Sequence, residues 1–144
     1  MSDHTLFIYG TLQDAEVMKA VIGRTIPLTA QQEGIAPFFK IMKVKHVHYP
    51  CLVEGDDSDV ADGVIITGLS DEELQILDRF EGDNYHRVAI DVIAKCRLVQ
   101  TQAYMPRQIL ETDGTWQLEE WQATNRDQFL SQDFNLAGVR PPDA

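Results

Sequence analysis

Tyr9-Gly10-Thr11-Leu12 follows directly on the apolar run Leu6-Phe7-Ile8, so a strand that ends there runs into a glycine turn. Such a turn presents bare backbone N–H groups, and amides that point the same way hold a carboxylate or an oxyanion. Gly10 supplies either a close approach or a positive φ that a Cβ would forbid. Neither G-x-x-x-x-G-K-[ST] nor G-x-G-x-x-G is present, which disfavours a nucleotide phosphate as the anion. Taken by themselves, these four residues are equally well described as a purely structural turn.

Glu81 is the second candidate. It lies in Leu77-Asp78-Arg79-Phe80-Glu81-Gly82, where a helix stops, just before Asp83-Asn84-Tyr85-His86-Arg87. A carboxylate at a helix C-terminus sits near the negative end of the dipole, and burial in an apolar cavity acts in the same direction. Both raise its pKa towards the range of a proton shuttle. The competing account makes Glu81 an exposed helix-end residue paired with Arg79 or Arg87. Strand alternation would put His46 and His48 on one face near Cys51, but two histidines and a cysteine are an incomplete zinc set, so a polar strand face is expected. Asp56-Asp57-Ser58-Asp59 lacks the central glycine and distal glutamate of a calcium loop and reads as a solvated turn. No G-x-S-x-G elbow supports a serine hydrolase.

Periodicity supplies the elements that must position these groups. Residues 5–9 read as a strand, and residues 14–22 as a helix with Ala15, Met18, Val21 and Ile22 on one side and Gly23 as its stop. Residues 26–53 are extended in pattern, interrupted by Gly34, Pro37 and Pro50, and residues 60–67 form a β-branched strand. Ser70 with Glu73 is a capping box, and Leu74, Leu77 and Phe80 recur at helical spacing, which predicts a helix over 71–80. Strands over 86–94 and 98–105 follow, then a turn at Asp113-Gly114 and a helix over 118–130 anchored by Leu118, Trp121, Phe129 and Leu130. Residues 105–118 are a candidate lid. Two successive strands with no helix between them argue for α+β with a mixed or closed sheet, against a doubly wound βαβ alternation.

The 144 residues, 44% of them hydrophobic, suffice for one domain over 1–144 with a core of its own. A formal charge of −11 repels phosphate backbones and anionic surfaces, so neither nucleic acid nor a membrane is expected as a partner. Cys51 and Cys96 stand far from any C-x-x-C spacing and read as reduced thiols in a cytoplasmic protein. Trp116, Trp121 and Phe129 have the spacing of a helix seated on a sheet, and core packing is expected of them.

Tyr9-Gly10-Thr11-Leu12, then Tyr49-Pro50 with Leu52-Val53 and Gly55, then Leu77-Asp78 through Glu81-Gly82, then Tyr85 and Arg87, form an ordered set. Over residues 5–131 this set resembles the gamma-glutamylcyclotransferase-like family, in particular its avirulence-induced-gene branch. The resemblance implies an α+β fold, a small mixed-sheet β-barrel with flanking helices, whose cavity is floored by the Tyr-Gly-x-x loop. Glu81 falls on the family's catalytic glutamate, Tyr85 and Tyr104 are implied to line the cavity, and no metal or organic cofactor takes part. The implied substrate is a small gamma-glutamyl amine, amino acid or related amide, whose own α-amine attacks its γ-carbonyl and releases 5-oxoproline.

That chemistry explains the residue types. The nucleophile is already tethered, so holding the glutamyl chain folded captures part of the barrier. An α-ammonium cannot attack, so a carboxylate must take its proton and return one to the leaving nitrogen, and Glu81 is the candidate for both transfers. The amides of Gly10, Thr11 and Leu12 hold either the α-carboxylate or the developing oxyanion. For Tyr85 and Tyr104 the alternative to orienting substrate is a half-buried strand aromatic, and Arg87 is expected to be a structural partner of an acidic neighbour such as Asp78. Two other functions stay open: a non-catalytic module binding a small acidic metabolite, and an enzyme that strips a gamma-glutamyl protecting group from a biosynthetic intermediate.

Overall fold

The computed structural model describes residues 4–45, 50–108, 110–124 and 126–128. In chain order the elements are β1 (His4–Ile8), α1 (Ala15–Ile22), β2 (Gln31–Pro37), β3 (Phe39–Val44), β4 (Pro50–Glu54), β5 (Val60–Leu69), α2 (Asp71–Glu81), β6 (Tyr85–Ala94), β7 (Arg97–Pro106), β8 (Thr112–Thr115) and α3 (Leu118–Thr124). Single 3-10 turns lie at Thr11–Gln13 and Leu28–Ala30, and one helical turn at Arg126–Gln128 follows α3. Five strands form a sheet in the order β1-β5-β2-β6-β7, and three form a second in the order β4-β3-β8.

The α+β architecture with flanking helices is as expected, with a refinement of the sheet. Every ladder is antiparallel, so the sheet is not mixed in direction. The two edge strands of the larger sheet, β1 and β7, curl towards each other, yet no ladder joins them among the described residues. Side chains bridge the seam instead: Thr5 Oγ1 lies 2.8 Å from Thr101 Oγ1, and the Tyr9 hydroxyl donates to the Tyr104 carbonyl at 2.6 Å. The barrel is thus approached without being closed by backbone hydrogen bonds.

Alternation along β1 divides the interior. Leu6 and Ile8 face a core shared with Val17, Met18 and Val21 of α1, Leu74, Leu77 and Phe80 of α2, and Trp121 of α3. Phe7 faces a second core between the sheets, with Leu52, Ile65, Ile90 and Val92. At Phe38 the chain passes from one sheet to the other in a single residue with φ 72, a left-handed conformation costly for a bulky side chain. Its N–H donates to the Asp59 carbonyl at 2.9 Å and its carbonyl accepts from the Gly55 N–H at 2.7 Å, which hold the residue there.

Gly63 in β5 shows how tightly β1 is seated. A Cβ there would lie 2.5 Å from the Ile8 carbonyl oxygen and 2.6 Å from Phe7 Cζ. The first of these is backbone in the β1 ladder and cannot turn aside. Gly63→Ala is therefore expected to cost about 1–3 kcal/mol, the usual range for an overpacked core, measurable as a lowered urea midpoint at unchanged m-value.

The capping box of α2 is formed as its sequence demands: Ser70 Oγ accepts from the Glu73 N–H and Glu73 Oε1 accepts from the Ser70 N–H, both at 3.1 Å. Gly82, with φ 86, ends the helix just after Glu81. Asp113-Gly114, expected to be a turn, instead lies inside β8, where a register shift against β3 and φ 86 at Gly114 make an irregular edge strand. That strand lies in the middle of the segment expected to be a lid, whose first residues close β7.

Candidate active site

The turn after β1 offers its backbone. Thr11 and Leu12 have buried side chains, and the 3-10 ladder begins with the Gln13 N–H donating to the Gly10 carbonyl at 3.1 Å. The amides of Gly10, Thr11 and Leu12 precede that ladder and lie outside it. Gly10 has φ −117, so of the two reasons for a glycine it is close approach that applies: a Cβ would stand 2.9 Å from Pro50 Cγ. Pro50, at the start of β4, also accepts a 3.1 Å hydrogen bond from the Tyr85 hydroxyl. The proline is thus wedged between the glycine turn and the strand that follows Glu81, which brings the two candidate segments to one place.

Glu81 is half-buried. Desolvation, aided by the negative charge of Asp78, pushes it up to about 8. No hydrogen bond or ion pair to this carboxyl occurs among the described residues, and Arg87, one of its expected partners, is taken by Asp78 through Nε at 2.7 Å and Nη2 at 3.1 Å.

Two phenols share the region with Glu81. Tyr104 is buried, and its hydroxyl donates to Asp78 Oδ1 at 2.6 Å; burial, this hydrogen bond and the charge of Glu81 all raise its pKa. Tyr9 is held well above the usual phenol value first by burial and then by the charges of Glu81 and Cys51. Its hydroxyl is committed to the Tyr104 carbonyl, so its side chain fixes the turn. The Cys51 thiol, buried in β4, is pushed up to about 11 by desolvation. His46, His48 and Tyr49 lie outside the described residues, as do Phe129 and Leu130.

Sequence reasoning did not foresee the support behind the turn. Asp14 is buried and caps α1 through Oδ1, which accepts from the Glu16 and Val17 amides at 3.0 and 3.2 Å. Its Oδ2 accepts from Gln122 Nε2 at 2.8 Å and from Arg126 Nε at 2.6 Å, tying the turn to α3 and beyond. Asp14, expected to be the first residue of the helix, is its N-cap, and its long-range donors carry no local signal. Asp78 was legible only as a partner for Arg87, although its three-residue spacing from Glu81 places both on one helix face.

The raised carboxyl has a consequence for stability. Between the ordinary value of 4.5 and about 8, the folded chain holds a proton at Glu81 that the unfolded chain has released. The stabilisation is therefore complete below 4.5 and is lost as pH rises through 8. Glu81→Gln, which has no proton to lose, is expected to gain stability over the parent at pH 8.5 relative to pH 5, by on the order of a few kcal/mol. Urea midpoints of both proteins at the two pH values measure it.

Comparison with known proteins gives the family. The sequence pattern described as gamma-glutamyl cyclotransferase, AIG2-like, matches residues 6–123, a span that includes both the glycine turn and Glu81. The chain belongs to this AIG2-like family. Among curated relatives, AIG2-like protein D of Arabidopsis thaliana is 32% identical over 139 residues, covering 93% of this chain and 89% of the relative. AIG2-like protein A of the same plant is 28% identical over 131 residues, covering 88% and 77%. An Arabidopsis thaliana protein solved in solution superposes with a TM-score of 0.69 at 28% identity, over 90% of this chain and 79% of that one. A protein named gamma-glutamyl cyclotransferase shares the fold, with a TM-score of 0.64 at 15% identity over 77% and 70% of the two chains. In this AIG2-like chain no helix among the described residues is long and apolar enough to cross a membrane.

Proposed function

We propose that this chain is a gamma-glutamyl cyclotransferase acting on a gamma-glutamyl amine, amino acid or related amide. The substrate's α-amine attacks its own γ-carbonyl, the new C–N bond closes the ring of 5-oxoproline, and the old amide C–N bond breaks to release the amine. Glu81 takes the proton from the α-ammonium and returns one to the leaving nitrogen. The amides of Gly10, Thr11 and Leu12 hold the α-carboxylate or the oxyanion that develops at the γ-carbonyl. Tyr85 and Tyr104 support the site, Tyr85 through the Pro50 carbonyl beside the turn and Tyr104 through Asp78.

The observation that carries this reading is the carboxyl of Glu81, desolvated to about 8 beside the turn whose Tyr9 it influences. A base poised near neutrality suits proton transfer to and from nitrogen. The expected pH profile follows. In kcat/KM, which reports the free enzyme, activity falls below about 8 as Glu81 takes up a proton. In kcat the corresponding fall lies at lower pH, because a bound ammonium favours the ionised carboxylate. A liquid-chromatography screen of gamma-glutamyl amides for released 5-oxoproline tests the activity and names the leaving group. No product from any of them, with Glu81 titrating near an ordinary carboxylate value, would point to a binding module instead.

A further inference from the structure

Asp78 precedes Glu81 by three residues on α2, the spacing that puts two side chains on one helix face. Donors from two strands converge on it: Arg87 of β6 grips both oxygens, and Tyr104 of β7 donates its hydroxyl to Oδ1 at 2.6 Å. Arg87 is itself steadied by Gln102, which accepts from Nη1 at 2.7 Å. The side chains of Arg87 and Asp78 are 27% and 39% exposed, and a pair that accessible adds only about 0–1 kcal/mol to stability.

We propose that Asp78 and Arg87 form a charge-setting pair for Glu81, in which the Asp78 carboxylate, one helical turn away on the same face, adds its negative charge to the effect of burial and the guanidinium that grips it limits that charge. The other groups facing Glu81 carry little charge of their own. Tyr9, just after β1, and Tyr104 of β7 are both shifted towards their neutral forms by burial. α1 packs on α2 through Val17, Met18 and Val21, while its Glu16 and Lys19 are exposed, as are Arg79 and Asp83 flanking Glu81. Burial supplies the larger part of the bias towards the protonated form, and among the described residues Asp78 is the charge that adds to it, with Arg87 bound to that charge. Neutralising Asp78 removes the like charge and frees Arg87 to approach Glu81, and neutralising Arg87 leaves Asp78 uncompensated. The two changes must therefore act with opposite sign, which loosened packing would not do.

The catalytic meaning of the pair rests on the proposed function, but its electrostatics can be read separately. Glu81 is followed by carbon-13 NMR of its labelled carboxyl, and the acid limb of kcat/KM is recorded in parallel on the same proteins. Asp78→Asn is expected to move both midpoints down by about one to three pH units, and Arg87→Gln to move both up by about one. Arg87→Lys, which keeps the cation, is expected to stay close to the parent. Midpoints that move in the same direction in Asp78→Asn and Arg87→Gln, or in neither, overturn the proposal. If the carboxyl signal shifts with opposite signs while no gamma-glutamyl amide is turned over, the pair stands and the enzymatic reading fails. If the parent is active and neither variant moves its limb, the pair alone fails.

Discussion

Glu81→Gln abolishes 5-oxoproline formation and leaves the fold intact: that is the expected result with the largest functional effect. Glutamine matches glutamate in size and can still donate and accept hydrogen bonds, but it can neither take the ammonium proton nor deliver one to the leaving nitrogen. Loss of a general acid–base group costs about 10²–10⁴ in rate. Here one group is asked to do both transfers, so the upper end of that range applies. The fold is unharmed because the parent residue is desolvated, and a neutral amide is easier to bury than a carboxylate. Liquid chromatography of the product, with far-UV circular dichroism to verify folding, decides it. A Gln variant with full turnover would remove Glu81 from the chemistry.

Trp121→Ala has the largest expected effect on stability. Trp121 is 2% exposed and joins the core formed by β1, α1 and α2, and it seats α3 there. Emptying such a site costs about 3–5 kcal/mol. A domain of this kind has a total stability of about 5–15 kcal/mol, so the variant should show a sharply lowered urea midpoint. Because Gln122 and Arg126 clasp Asp14 behind the glycine turn, loosening α3 also loosens the support of the proposed cradle. Activity should then fall with the folded fraction and beyond it. A loss under about 1 kcal/mol would show that α3 is an appendage to the core.

Much of this architecture could be read from residue order. Ser70 with Glu73 places the start of α2 because both halves of the box are local, and Gly82 marks its end. Strands β5, β6 and β7 follow their β-branched alternation to within a residue or two of where they lie. The stretch before them was less legible. Residues 26–53 hold three element boundaries within one extended pattern, and the switch between sheets falls at Phe38, a residue whose type gives no hint of φ 72. β8 hides for the opposite reason: Asp113-Gly114 is a strong turn pair, and only its pairing with β3 draws it into a strand. In the site, Gly10 and Glu81 stand out by type and position. The clasp on Asp78 does not, since Arg87 and Tyr104 reach it from strands whose register no local pattern fixes.

The unladdered seam between β1 and β7 gives the molecule a built-in line of parting. Most neighbouring strands of the sheet are joined by a ladder of backbone bonds, and β2 with β6 by one registered pair, whereas the hydrogen bonds across this seam among the described residues are two hydroxyl contacts, Thr5 with Thr101 and Tyr9 with the Tyr104 carbonyl. β1 leads straight into the proposed cradle, and β7 carries the phenol that clasps Asp78. Amide hydrogens along this edge of β1 should therefore exchange sooner than those it shares with β5, and an occupant spanning both walls would act as the missing stitch.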